Sequence, residues 1–462
     1  MLAGVDARGP MAYAFAITYS PGCLHKFRVQ TSIFGFTLHY YGQWRIVFMV
    51  MGVKNIVDRR AYIHQLEEFA DKPLIKVITG IRRCGKSSIL QLLRGRFNER
   101  GVPDERIIYI NFESFAHADL LDAKNLYKYV ASSIRSEAEM YYLLLDEIQE
   151  VRDWEKCVNS LMVDHNVDIY LTGSNSRLLS SELSTYIAGR YVEIPIFTLS
   201  FDEYLRFQAD YFPDMEISRK EAFANYLRRG GFPVVHTSLN TEESAYRMVH
   251  DIYSSIILRD TVKRYNIRDV ELLERVVRFA FDNIGNTFSG KSVADFFRSQ
   301  MRKVDINTVY NYLSALESAF ILYRVPRYDL RGREILKTQE KFYLSDVSLL
   351  YATMGYRDSL IAGVLENIVF LELKRRGYAV YIGKAGAAEI DFVAEKRGKR
   401  LYVQVAYKLE SQQTAEREFG SLLSIKDQYP KIVVTMDDFW KESVNGVRHA
   451  YISDFLSDGD AY

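Results

Sequence analysis

Leu74-Ile75-Lys76-Val77-Ile78-Thr79-Gly80-Ile81-Arg82-Arg83-Cys84-Gly85-Lys86-Ser87-Ser88-Ile89-Leu90 decides the fold. The run Leu74 to Thr79 is short and mostly apolar, as expected of a buried strand. Gly80 to Ser87 then satisfies G-x-x-x-x-G-K-S, and an amphipathic helical pattern follows. A strand before the glycines and a helix after them are the context in which this spacing has a purpose. Glycine at each end lets the backbone turn its N–H groups inward around phosphate oxygens, and the helix directs its positive end at the same anion. Gly80, Ile81, Arg82, Arg83, Cys84, Gly85, Lys86, Ser87 and Ser88 are therefore the candidate phosphate-binding residues. Lys86 supplies charge to the β and γ phosphates, and Ser87 is a ligand for Mg²⁺.

Working outward, apolar runs at Ile107 to Phe112, Tyr141 to Leu145, Asp168 to Thr172 and Tyr191 to Ile196 alternate with helical patterns. That alternation predicts a parallel sheet covered by helices on both faces. Hydrolysis of ATP on such a sheet needs an acid to hold the metal and a second polar group to orient water. Asp146 and Glu147, directly after Tyr141 to Leu145, offer the two, Asp146 for Mg²⁺ and Glu147 for the water. Ser174 and Asn175, after the next strand, are placed to sense the γ phosphate. Arg190 is a candidate arginine finger, acting in trans if the chain assembles into a homo-oligomer. Arg82 and Arg83 have either phosphate or a neighbouring domain within reach. Cys84 sits at a helix N-terminus, a position that lowers a thiol pKa, although filling a small space is the simpler role.

The rest of the chain sets bounds. Its 462 residues suggest about three folding units. Hydrophobic residues make up 48% and charged residues 26%, which allows real cores. Sixty Lys plus Arg against 59 Asp plus Glu leave a net charge of +1, so any contact with nucleic acid must come from a local patch. Cys23, Cys84 and Cys157 are odd in number and far apart, which argues against a disulfide framework and for a cytoplasmic protein. The most apolar stretch, Thr31 to Val50, is broken by His39, Gln43 and Arg45, so no membrane span is expected. Residues 1–53 are aromatic-rich without a clear period and are expected to stand apart from the machinery, as an upstream start codon would leave them.

In combination and in order, these residues resemble the AAA-type P-loop ATPases that carry a C-terminal domain of unknown function with a restriction-endonuclease-like core. The resemblance runs from about Lys54 to Lys408. Its further marks are Leu199 to Tyr204, Gly230-Gly231-Phe232-Pro233, Leu258-Arg259-Asp260 and Lys341 to Asp346. It implies an α/β chain with a P-loop AAA-like parallel sheet domain at 54–205, a helical, winged-helix-like middle at 206–335 and a restriction-endonuclease-like α/β domain at 336–462. Periodicity supports the middle: Ser292 to Phe297 and Thr308 to Phe320 read as two amphipathic helices, with Val309, Tyr312, Leu313 and Leu316 on one face. The second helix exposes Asn311, Ser314 and Glu317 rather than a basic row. Basic residues gather after it, at Arg324, Arg327, Arg331, Arg333 and Lys337. The last residues, around Asp454, Asp458 and Asp460, read as a frayed tail.

Glu389 to Glu395 and Leu401 to Tyr407 flank a turn and read as a hairpin. The resemblance places a metal-dependent nuclease site here, with an acid on one strand and a Glu and a Lys, two residues apart, on the next. This chain supplies Glu366, Glu389 and Asp391, but Gln404 stands in place of the Glu and Ala406 in place of the Lys. A Gln brings no negative charge, and Ala offers no proton chemistry. Lys408 lies two residues farther along the same face, about 6.6 Å away, and a nuclease with this migrated lysine is the alternative. The expected outcome is a nuclease-like fold without cleavage, driven by an ATPase that acts on DNA or on a protein partner. A small-molecule kinase is the weaker alternative, since no base beyond Glu147 is apparent.

Overall fold

The computed structural model describes residues 56–176, 189–300, 304–332, 334–386, 388–438 and 442–457. The N-terminal stretch expected to stand apart lies outside the described residues. After α1 (Arg60–Glu68) come β1 (Ile75–Thr79), α2 (Lys86–Glu99), β2 (Ile107–Asn111) and α3 (Ala123–Ser133). β3 (Tyr141–Asp146), α4 (Trp154–Asp164), β4 (Val167–Gly173) and β5 (Tyr191–Pro195) complete the unit. All five strands expected from the apolar runs are present, each within one residue of its expected ends.

They form one sheet in the order β2-β3-β4-β1-β5, and every pairing is parallel. Alternate side chains of β3 face opposite ways. Leu143 and Leu145 pack with Leu126 and Val130 of α3 and Val158 and Leu161 of α4. Tyr142 and Leu144 pack with Leu90, Leu93 and Phe97 of α2. The one charge inside β1, Lys76, is fully buried and is ion-paired with Asp168 of β4. Register aligns Thr79 with Gly173 and Asn111 with Asp146, so the carboxyl ends of four strands share one edge. In open α/β sheets that edge is where ligands bind.

A helical region follows: α5 (Phe201–Tyr211), α6 (Arg219–Arg229), α7 (Glu242–Ser255), α8 (Val270–Asp282), α9 (Gly290–Ser299) and α10 (Ile306–Ser318). α5 begins on a capping box in which Ser200 and Glu203 satisfy each other's backbone N–H. α7 runs directly into a π-helical segment, Ile256–Lys263. α9 and α10 occur where the periodicity predicts them, and Val309, Tyr312, Leu313 and Leu316 are all buried.

β6 (Leu322–Asp329) and β7 (Glu334–Leu344) then form an antiparallel hairpin. α11 (Ser348–Met354), α12 (Ile361–Arg375), β8 (Ala379–Ala385), β9 (Ala388–Lys396) and β10 (Lys399–Val405) follow. α13 (Gln412–Leu423), β11 (Lys431–Thr435), β12 (Ser443–Val444), β13 (Val447–Tyr451) and α14 (Ile452–Ser457) end the described chain. The eight strands are ordered β12-β13-β11-β10-β9-β8-β6-β7. β9 and β10 are the expected hairpin, paired antiparallel, and β10 pairs parallel with β11.

Two expectations need correction. A boundary between residues 335 and 336 falls inside β7, because the β6–β7 hairpin joins β8 and belongs to the C-terminal sheet. The tail is not frayed as far as Ser457: Ile452, Phe455 and Leu456 of α14 are buried, and Arg219 donates to the Ser453 carbonyl at 2.9 Å. Asp458 and Asp460 lie outside the described residues. Residues from Ile56 onward pack as one compact unit rather than three separate bodies.

Candidate functional site

Chain reversal at the end of β1 builds the first site. Gly80 has φ +148°, and a Cβ there would lie 2.2 Å from the Ile196 carbonyl oxygen, so only glycine fits. Arg83 and Gly85 also take positive φ, 67° and 106°, before α2 starts at Lys86. The Lys86 ammonium is buried and donates to the carbonyls of Gly80 (3.1 Å) and Ile81 (3.3 Å). Its Nζ lies 3.6 Å from Glu147 Oε1.

Asp146 ends β3 and is fully buried. The Thr172 hydroxyl of β4 donates to its Oδ1 at 2.6 Å and accepts from the Glu147 backbone N–H at 2.8 Å, locking the two acids in place. Tyr109 and Asn111 of β2 donate to Asp146 Oδ2, each at 3.2 Å, and the Ser87 hydroxyl lies near enough to the same carboxylate to favour its charged form. Burial raises the Asp146 pKa above the ordinary range, only partly offset by Thr172 and Ser87. Glu147 adopts a left-handed backbone, φ 57°. Burial works to raise its pKa, but Lys86, Gln149 and Arg82 together hold it below the ordinary range. The Ser87 hydroxyl and the Asp146 carboxylate are hard oxygen donors, and they fit the Mg²⁺ that the sequence implies.

The Ser174 hydroxyl is buried beside these groups and has no hydrogen-bond partner, as expected of a group that meets a ligand or a water. Asn175 is buried with it. Ser88 is half-buried on the first turn of α2, and Arg83 is exposed.

The structure selects between the alternatives left open for Arg82 and Cys84, and it fixes where Arg190 stands. Arg82 turns away from the cradle: its Nε donates to Asp260 Oδ2 (3.1 Å) in the π-helical segment and its Nη1 to Glu113 Oε1 (2.9 Å). Burial raises the Cys84 thiol despite Lys86 and Arg59 nearby, so the helix N-terminus does not activate it. Arg190 is not brought to the loop. The Ile75 N–H donates to its carbonyl, so it stands at the opposite end of β1, roughly 16 Å along the strand.

Sequence reasoning gave no role to Thr172, Tyr109, Asn111, Glu113, Arg259 or Asp260. Arg259 contacts Glu113 (3.2 Å) and Glu150 (3.6 Å), so two adjacent residues of the π segment close over the loop. Leu258-Arg259-Asp260 was legible as a mark, but its partners are more than a hundred residues away in sequence.

A second constellation lies in the C-terminal sheet, in a cleft of about 730 Å³. Glu366 of α12, Glu389 and Asp391 of β9 and Gln404 of β10 do come together there. At their centre is Lys341 of β7, missed by sequence reasoning. Its Nζ is 3.1 Å from Glu366, 3.0 Å from Glu389 and 3.3 Å from Asp391. Lys341 and Tyr343 share a strand face at period two, and the Tyr343 hydroxyl donates to Glu366 at 2.9 Å. The Asp391 carboxylate accepts the Val405 N–H at 2.9 Å, and Gln404 donates to Glu418 at 3.0 Å. Burial and the neighbouring Asp391 push Glu366 up. The basic cluster before it is partly spent: Arg324 is bidentate to Glu317 (2.8 and 2.9 Å). Arg333 and the Lys337 side chain lie outside the described residues.

Comparison with known proteins follows the same division. An uncharacterized protein of Haemophilus influenzae is 38% identical over 403 residues, spanning 87% of this chain and 99% of that protein. The chain belongs to its family. A more distant relative, the uncharacterized protein MJ1544 of Methanocaldococcus jannaschii, is 30% identical over 76% of this chain and 79% of its own length. Residues 72–205 match the AAA domain model, and residues 220–360 match a domain of unknown function, DUF8612. Among solved structures, the Walker-type ATPase of Pyrococcus abyssi aligns with 64% of this chain and 95% of its own at 16% identity and a TM-score of 0.46. The part of this chain that matches the AAA domain model holds the phosphate loop and both acids.

Proposed function

We propose that the protein is a Mg²⁺-dependent ATPase whose nucleotide state is read by the helical lid and passed to a C-terminal domain that binds a partner without cutting it. The observation that carries this reading is the 3.6 Å approach of Lys86 Nζ to Glu147 Oε1, beside an Asp146 carboxylate held by Thr172 at the mouth of the same loop. Lys86 neutralises charge on the β and γ phosphates. Ser87 and Asp146 hold Mg²⁺, which supplies further neutralisation of the phosphate oxygens. Glu147 loses its ammonium partner when phosphate claims Lys86, and its carboxylate is then free to orient water and accept a proton. Ser174 and Asn175 face the outermost phosphate.

Transmission has a physical route. Asp346, just after β7, accepts the backbone N–H of Gly231 at 2.7 Å, and Thr198 donates to the Ser345 carbonyl at 3.2 Å. Arg375 of α12 donates to the Thr198 carbonyl at 3.1 Å. The segment after β5 and the end of α6 thus bear directly on the C-terminal half. The succession α12-β8-β9-β10-α13-β11, with β10 and β11 parallel, and the gathered acids support a restriction-endonuclease-like core. α9, α10 and the β6–β7 hairpin support a winged-helix-like unit. The exposed face of α10, Asn307, Tyr310, Asn311 and Ser314, has no basic residue, which favours a protein partner over DNA on that helix. No helix among the described residues is long and apolar enough to cross a membrane, and buried free Cys84 and Cys157 suit the cytoplasm. A role for Arg190 as a finger requires a neighbouring subunit.

Steady-state ATP turnover with and without duplex DNA tests this reading, with Lys86→Ala as the blank. Glu147→Gln is expected to keep ATP binding and lose turnover by roughly a hundredfold or more. Turnover equal to the Lys86→Ala blank would remove the roles of Asp146 and Glu147, and DNA stimulation would make DNA the partner.

A further inference from the structure

Three carboxylate oxygens surround Lys341 Nζ at 3.0 to 3.3 Å, one each from Glu366, Glu389 and Asp391. An ammonium has three N–H donors and no acceptor, so the number of partners matches. The side chain is 3% exposed. These separations suit N–H···O bonds and are longer than the roughly 2.0–2.6 Å at which oxygen ligands hold Mg²⁺ or Ca²⁺. A divalent ion could not share the space, because it would meet a fixed positive charge within van der Waals contact.

The neighbouring groups close the other routes to a metal. Asp391 has its second oxygen committed to the Val405 N–H. Gln404 donates its amide to Glu418 and accepts the Asp391 N–H at 3.3 Å. Ala406 lines the cleft without a polar atom. Among the described residues no group of three or more His, Cys, Asp or Glu is arranged to hold a metal ion. The metal that a restriction-endonuclease-like site implies therefore does not fit these residues.

We propose that the Lys341 ammonium is the resident cation of this cleft, standing where such a site would hold a divalent metal, so that the cleft keeps its carboxylates together without one. Calling this the metal position rests on the nuclease-like reading of the domain. The cation sits on β7, whose end at Leu344 leads directly into Ser345 and Asp346, the residues that touch the ATPase side. A dissociable ion at this place would make that junction depend on metal supply, whereas a covalently attached one does not.

The test is Mn²⁺ titration of the full chain without nucleotide, followed by electron paramagnetic resonance. Asp146→Asn is present throughout to remove the phosphate-loop ligand. With Lys341 intact, adding Asp391→Asn is expected to leave Mn²⁺ binding unchanged. Lys341→Met, of similar length without the charge, is expected to gain one Mn²⁺ site at least roughly tenfold tighter, and Asp391→Asn should abolish it. Lys341→Arg keeps a cation and should gain no site. Lys341→Met also leaves three carboxylates facing one another. If it unfolds, restoration of cooperative melting by added Mn²⁺ is the supporting readout, because a ligand that binds only the folded state stabilises it. The proposal is overturned if Asp391→Asn removes Mn²⁺ from the Lys341 chain, or if Lys341→Met gains no site and is not restored by Mn²⁺. It is also overturned if the gained site survives Asp391→Asn. None of these readouts uses ATP turnover, so failure of the ATPase reading and failure of this proposal are separable.

Discussion

Arg82, inside the phosphate loop, donates through Nε to Asp260 of the lid at 3.1 Å, and both side chains are buried, 8% and 3% exposed. The pair bridges 178 residues of sequence. Its Asp260 end sits in a π-helical segment, a distortion that costs helical hydrogen bonding and often marks functional sites. Removing one partner of a buried pair strands the other charge. Asp260→Ala is expected to cost about 3 kcal/mol of folding stability, at the low end for such pairs because Arg82 keeps Glu113. A thermodynamic cycle with Arg82→Ala checks it: the double variant should be more stable than the sum of the singles predicts. Additive losses would mean that the contact does not couple loop and lid.

Asp146 is expected to show a trade between stability and function. Its folded pKa is raised by burial, so the folded chain holds the proton more tightly than the unfolded one. The associated stability is present below the unfolded pKa near 3.8 and is lost as pH rises through the folded value, which leaves a penalty at neutral pH. Asp146→Asn removes that penalty, and the Tyr109 hydroxyl can turn to accept. Without nucleotide the variant should melt about 2 °C or more higher while losing Mg²⁺-dependent turnover. A lower melting temperature at pH 7 would show that the hydrogen bonds from Thr172, Tyr109 and Asn111 outweigh burial.

His236 carries an acid sensitivity of the fold. It is buried after α6, and its Nε2–H donates to the Gly230 carbonyl at 2.8 Å. Burial lowers its pKa from 6.5 to about 4, with Arg229 adding to the shift. Below pH 6.5 the unfolded chain takes up the proton and the folded chain does not, so stability present at neutral pH is lost as pH falls towards 4. At about 1.4 kcal/mol for each pH unit, the loss reaches about 3 kcal/mol. Urea unfolding at pH 7, 5.5 and 4.5 should show it, and His236→Gln should flatten that limb. An unchanged slope in His236→Gln would assign the sensitivity to other groups.

What was legible in the sequence follows the reach of each interaction. The phosphate loop could be read because its backbone geometry is local: Gly80 and Gly85 are needed by the turn itself. The strands could be read because their inner positions are mostly apolar, with Lys76 the one charge inside β1 and polar residues such as Asn111, Asp146 and Thr172 gathered at the carboxyl ends. Asp146 and Glu147 came from adjacency to a strand end. Asp260, Arg259 and Lys341 could not be given roles, because their function lies in partners far along the chain that a pattern of neighbours does not encode. Arg190 shows the complementary limit. Its position before a strand was right, but only the parallel register with Ile75 shows which end of the sheet it occupies.

Gly230 offers the sharpest test of the junction between lid and C-terminal half. It has φ +67°, and a Cβ would lie 1.9 Å from Asp346 Oδ1 and 2.8 Å from the Ser348 side chain. Gly398, in the β9–β10 turn, has a similar φ of +78° with nothing within 4 Å. Alanine at Gly398 meets a left-handed strain of about 1–2 kcal/mol, and at Gly230, where ψ is −159°, it enters a region essentially reserved for glycine, at about 1–3 kcal/mol. Only at Gly230 does the methyl also displace a buried carboxylate that accepts from the Gly231 N–H and from the Ser348 N–H at 2.9 Å. Gly398→Ala is therefore expected to lower the melting temperature by a few degrees at most, about 2–4 °C. Gly230→Ala should lower it several times further and should weaken ATP turnover, since the displaced Asp346 anchors the contact through which the two halves meet. Equal shifts in the two variants would show that backbone strain alone is felt and that the Asp346 contact contributes nothing to holding the halves together.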